Sequence, residues 1–166
     1  METGAILGVF AQLAVVIVGL SGIVAVAGSR ATGNWLIADH FRFWTMMASG
    51  FSVLFQSIFP MILYHFSLTS HSVWVWSSAA AALLACGQLY WRWRGYRRWH
   101  EDPSFNIFLF WFNTALHGAV AVILMLNSVG LVFQGTFAPY LLAMSLMLAH
   151  SFSAFIRLLV VALPRT

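Results

Sequence analysis

The sequence predicts an all-α, polytopic membrane protein with five transmembrane helices, and two observations carry that prediction. Five apolar stretches, approximately residues 4–27, 43–66, 73–90, 105–126 and 137–163, are each long enough to cross a hydrocarbon core of about 30 Å. The basic residues, all eight of them arginine, alternate from side to side of these stretches. Arg30 and Arg42 follow the first, Arg92, Arg94, Arg97 and Arg98 follow the third, and Arg165 follows the fifth, while the connections after the second and fourth carry none. The bias of basic residues toward the cytoplasm then sets the N-terminus outside and the C-terminus inside. With 61% hydrophobic and 7% charged residues, the spans and their connections account for residues 1–166 as a single transmembrane domain.

The first stretch contains Ala25-Val26-Ala27, which has the small-x-small form of a signal cleavage site. The segment before it carries Glu2 and no positive charge, and its apolar run exceeds a usual signal core, so it reads as a span. At about 100° per residue, Gly4, Gly8, Gln12, Val15, Gly19 and Gly22 share one face. Such a face is a helix-packing seam or, in a sharper reading, the lining of an axial path in an oligomer.

Asp39 is a candidate N-cap for the second span, with Arg42 one turn later. Pro60 lies inside that span and frees a backbone carbonyl, which a neighbouring helix or water must satisfy. Thr45, Ser49, Ser52 and Gln56 lie on the same arc. Trp35 and Trp44 mark one interface, and Trp74 and Trp76 the other.

The third span offers mainly Ser77, Ser78 and an alanine run, which places it at the periphery or against another subunit. It ends in the cluster Trp91, Arg92, Trp93, Arg94, Tyr96, Arg97, Arg98 and Trp99. Tryptophan sits at headgroup level and arginine there faces anionic lipid, so the cluster reads as a lipid-facing anchor and not as a nucleic-acid surface.

Asp102-Pro103 introduces the fourth span, and Thr136 with Pro139 the fifth. On the fourth, Asn106, Asn113, Thr114 and His117 share a face, and the fifth aligns His150, Ser153 and Arg157. At 1.5 Å per residue, Gln12, Gln56, Asn113, His117 and His150 all fall roughly 10 to 20 Å below the outer edge of the hydrocarbon. Lipid offers such groups no partner, so they must pair with one another, with backbone or with trapped water. The bland reading is a hydrogen-bond network that fixes helix register; the histidines add the capacity to titrate, relay a proton or bind a metal. Arg157 either snorkels to the headgroups or faces the bundle, as the fixed charge of an anion path or a partner for Asp39 or Glu101. His65 with His71, and His40 with His100, read as solvated interface residues.

The one cysteine, Cys86, excludes an intramolecular disulfide and a dithiol redox pair. No phosphate loop, zincin motif or nucleophile elbow is present, and Glu2, Asp39, Glu101 and Asp102 all lie outside the spans, so neither an enzyme nor a carboxylate-driven antiporter is expected.

The run Ala11-Gln12-Leu13-Ala14-Val15-Val16 with Gly19 and Gly22, the Asp39/Arg42 entry with Pro60, and Pro139-Tyr140-Leu141-Leu142 through Phe155-Ile156-Arg157-Leu158-Leu159 resemble a group of short bacterial multi-span inner-membrane proteins of unassigned function. The likeness covers the first sixty and last thirty residues; it implies a bacterial inner-membrane setting and transfers no site residues.

Three functions are compatible with this pattern. The leading one is a small homo-oligomeric protein forming or contributing to an ion or small-solute permeation path, with Gln12, Gln56, Asn113, His117, His150 and Arg157 as its polar layer and no cofactor. The alternative is a haem b anchor ligated by His117 and His150. The third is a noncatalytic scaffold, packed through Gly4, Gly8, Gly19 and Gly22. The oligomer is expected to meet through the first or third helix, with anionic lipid at the arginine-rich face as a further partner.

Overall fold

A computed structural model describes residues 2–32, 37–103 and 105–162. These residues form five α-helices: α1 (Glu2–Thr32), α2 (Ile37–His65), α3 (Ser70–Trp99), α4 (Ile107–Val129) and α5 (Phe137–Ala162). All five are long and apolar enough to cross a membrane. Trp35 and Arg165 lie outside the described residues, as do the side chains of Arg30 and Asp39.

Helix ends follow local chemistry. Thr69 caps α3 by accepting from Ser72 N, and Asn106 caps α4 by accepting from Leu109 N at 2.9 Å. Asp102-Pro103 is therefore not the start of the fourth helix: Asp102 N donates to Trp99 O and Phe105 N to Asp102 O, which closes a separate turn before Asn106. Gly130, at φ 74°, ends α4 in the left-handed region open to glycine. Pro139 sits in the first turn of α5, where no intrahelical donor is lost.

α2 and α5 form the central pair, α1 covers one side of it and the α3–α4 hairpin the other. Neighbours in sequence run antiparallel: Gly50 of α2 lies by Ala14 and Val18 of α1, while Met46, one turn earlier, receives Ser21. The core gathers Leu7, Ala14, Val53, Val120, Leu124, Tyr140, Met144 and Met147. Large apolar side chains elsewhere stand outward, such as Leu83 and Phe108, as a bilayer solvent requires.

This packing assigns each helix its inward face and corrects the expectation that α3 presents its small residues to the periphery or to another subunit. α1 docks through Leu7, Ala14, Ile17 and Ser21, so Gly4, Gly8, Gly19 and Gly22 lie on its other side, where an added Cβ would meet nothing within 4 Å. The close helix approach instead uses Gly50, whose Cβ would fall 2.5 Å from Val18 Cγ2. The small face of α3 is internal: Ser77, Ser78, Ala81, Ala82 and Ala85 are buried, and α3 packs chiefly on α4. Trp74 is a core residue, packed against Tyr64, Phe137 and Tyr140, whereas Trp76 is exposed.

Pro60 leaves α2 continuous, and the carbonyl it deprives of a donor is that of Gln56, four residues earlier. The fully buried Tyr140 hydroxyl of α5 donates to that oxygen at 2.8 Å, fixing the register of the central pair. Tyr140→Phe is expected to cost about 1–2 kcal/mol, because it strands a buried carbonyl. In a Pro60→Ala background the alanine N–H takes over the carbonyl, and the same change should cost much less. Equal costs in the two backgrounds, measured by unfolding in mixed detergent, would sink this account.

Candidate functional site

The polar side chains of the bundle satisfy themselves mostly along their own helices. Ser49 donates to Thr45 O, Asn113 Nδ2 to Leu109 O, and Thr114 to Phe110 O. His117 Nδ1 lies 3.0 Å from Asn113 O. A carbonyl only accepts, so that nitrogen carries the hydrogen, and in the neutral ring Nε2 is left as an acceptor, 3.4 Å from Ser49 Oγ.

His150 of α5 stands against this histidine. The two ring centroids are 4.5 Å apart and the planes are perpendicular at 89°. His150 is buried, yet neither of its ring nitrogens has a hydrogen-bond partner among the described residues.

The second unsatisfied group is Arg92. The sequence placed it with the lipid-facing cluster, but it is 2% exposed and points between α2 and α4. Its Nε donates to Thr114 Oγ1 at 3.3 Å, and its guanidinium carbon lies 5.7 Å from the Phe41 ring and 5.5 Å from the Phe110 ring. Its helical position explains the correction: Trp91, Trp93 and Arg94 on either side are exposed, while Arg92 shares the inward stripe with Ala85 and Gly95. Nη1 has no partner, and no described carboxylate reaches the group. Two aromatic faces supply about 0.5–2 kcal/mol each, against several kcal/mol for desolvating the charge. The aromatic contacts alone do not balance the cost.

Arg92 and His150 line one cleft, together with Thr45, Asn113, Arg42 and Arg157. Arg157 is half-buried and donates to Ser153 Oγ at 2.9 Å, on the bundle side of its helix. The cleft holds about 60 Å³, room for a few waters or one small anion. It opens beside Phe105 and Asn106, at the end of the bundle where α3 and α4 meet, and it reaches His150. Beyond the histidine pair the interior is closely packed, with Val53, Val120, Met144 and Met147 buried and the polar Gln56 and Asn127 buried among the helices as well. Three arginines line the cleft and, among the described residues, no carboxylate does.

Asn113, His117, His150 and Arg157 of the expected polar layer therefore come together. Gln56 is buried, but it lies two turns along α2 from Ser49, toward Tyr140. Gln12 is not in the layer, because it is exposed on the open side of α1. Glu101 does not meet Arg157 and lies 3.8 Å from His100. His71 Nδ1 instead donates to Gln134 O, tying the α2–α3 turn to the α4–α5 turn. Sequence reasoning missed Arg92, whose only signal was its helical phase with the small residues Ala85 and Gly95.

The histidine pair does not fit a haem. Two axial imidazoles stand on opposite faces of a planar macrocycle and are held apart by it, whereas these rings touch edge to face. No group of three or more His, Cys, Asp or Glu side chains suited to a metal occurs among the described residues. Titrating the purified protein with hemin is expected to give no Soret shift beyond that of detergent alone. A shift lost in His117→Gln and His150→Gln would reverse this conclusion. Comparison with protein-family models, curated proteins and solved structures finds no match.

Proposed function

We propose that the protein is a membrane protein that admits a small anion to the cleft, as one half of a permeation path across a bacterial inner membrane. The observation that carries this reading is the buried Arg92 guanidinium, with one nitrogen unpartnered and no described carboxylate near it. A buried charge without a counter-charge is costly unless a ligand supplies one. An anion in the cleft meets the guanidinium groups of Arg92 and Arg157 and the one N–H of a neutral His150 ring. The His117–His150 contact then closes the route toward the far side, where the packed core begins. Opening requires the two rings to part, which makes this pair the gate.

Flux from proteoliposomes loaded with chloride, nitrate or formate tests the reading. The wild type should release at least one of these faster than protein-free liposomes. Arg92→Gln should lower that rate on the order of tenfold, the value of one lost charged hydrogen bond. Arg97→Gln, on the exposed face of α3, should leave it unchanged. Absence of flux at any pH, together with a melting temperature insensitive to these anions, would remove the proposal.

A second copy of the chain covers the open face of α1 in this reading. Gln12 is a polar side chain facing hydrocarbon, beside glycines that permit close approach. Across a two-fold axis, Gln12 amides from two copies pair donor to acceptor. The mass in lipid nanodiscs should be that of a dimer or higher oligomer, and Gly8→Leu or Gln12→Leu should shift it toward the monomer. A wild-type monomer in nanodiscs refutes the interface without touching the anion reading.

A further inference from the structure

A second feature lies on the outside of the bundle, between α2 and α3, and belongs neither to the cleft nor to the α1 face. An apolar groove of about 610 Å³ runs along these helices, bounded by Trp44, Leu83, Leu84 and Trp91, with Gly87 in its floor. An added Cβ at Gly87 would meet no atom within 4 Å, so the floor is open. From Leu83 to Trp91 the helix rises about 12 Å, close to the depth of one leaflet of a 30 Å hydrocarbon core.

At the arginine-rich end the groove runs into a polar recess of about 220 Å³, lined by Arg94, Arg98 and Gly95. The two spaces share Trp91 and Trp99 as walls. Those walls are held from behind: Trp91 stacks on Phe41 at 5.3 Å and 7°, and Trp99 meets the same ring edge-on at 5.8 Å. Gly95 makes that arrangement possible, because a Cβ there would fall 2.9 Å from Phe41 Cε2 and 3.1 Å from Trp99 Cζ3. No carboxylate lines the groove or the recess among the described residues.

An apolar slot one leaflet deep, continuous with a recess that holds two arginines, matches one occupant: a glycerophospholipid with an anionic headgroup. We infer that the protein binds such a lipid specifically, its acyl chain in the α2–α3 groove and its phosphate between Arg94 and Arg98. This differs from diffuse attraction of a basic surface to an anionic leaflet, because it assigns separate tasks to Arg94 and Arg98, to Gly87, and to the neighbouring Arg97, which is exposed but lines neither space.

The test is native mass spectrometry of the full chain in detergent, titrated with phosphatidylglycerol or phosphatidylcholine of identical acyl chains. The wild type should retain one phosphatidylglycerol with a preference over phosphatidylcholine on the order of tenfold, as two arginines near a headgroup supply. Arg94→Gln with Arg98→Gln should bring the two lipids to parity. Arg97→Gln should keep the preference. Gly87→Leu, whose Cβ enters open space at the groove floor, should weaken both lipids alike. Parity in the wild type, an Arg97→Gln effect as large as that of the double variant, or unchanged lipid retention in Gly87→Leu would each overturn the inference. All substitutions lie at open positions, and unaltered helical circular dichroism confirms that a loss reflects binding.

Discussion

Hydrocarbon accepts no hydrogen bond, and the interior of this bundle is organised by that constraint. Several hydroxyls and amides turn back to a carbonyl of their own helix, as the buried Ser57 does to Val53 and the half-buried Ser145 to Leu141. Others cross between helices, among them Gln88 to Ala48 O, Tyr140 to Gln56 O, and Ser151 to Met46 O. The groups left over are not scattered evenly. Thr45 Oγ1, Arg92 Nη1 and both ring nitrogens of His150 lie without partners around one cleft. Gln56 Oε1, Ser77 Oγ and Gln88 Oε1 are unpartnered elsewhere, but four of the seven such atoms among the described residues belong to residues that line this one cleft.

The helices and most of their ends were legible in the sequence because length and hydropathy decide them, and a bilayer of fixed thickness admits few alternatives. Pro60 was legible in the same way: a missing N–H implies an orphan carbonyl, and Tyr140 supplies the donor. The depth of His117 and His150 also followed from simple rise, and their rings do meet. Which side of each helix faces inward was much less legible. In a soluble helix polar residues mark the outside, but in a membrane span both faces are apolar and the contrast disappears. Glycines of α1 signalled a close contact without saying with what, and the protomer makes its contact through Gly50 on the opposing helix.

Arg92 shows the same limit at a functional position. An arginine near the end of a long span reads equally well as a snorkelling anchor or as an interior charge, since its stem reaches either way. The decision comes from residues distant in sequence: Phe41 on α2 and Phe110 on α4 supply the aromatic faces, and Thr114 the hydrogen bond. Phe41 serves on both sides of α3, since it faces the buried guanidinium and also backs Trp91 and Trp99 on the outer surface. A single ring thus couples the packing of the internal cleft to that of the lipid-facing groove.

The turn between α4 and α5 is closed by a single side chain. Asn127 Nδ2 donates to Thr136 O at 2.9 Å and Asn127 Oδ1 accepts from Thr136 N at 3.0 Å, so one amide side chain mimics a pair of backbone bonds across the turn. The same nitrogen donates to Ser78 of α3. Backbone polarity at the turn is thereby satisfied inside the hairpin itself. One amide side chain thus closes the α4–α5 hairpin and, through Ser78, ties that closed turn to α3, so three helices share a single polar joint.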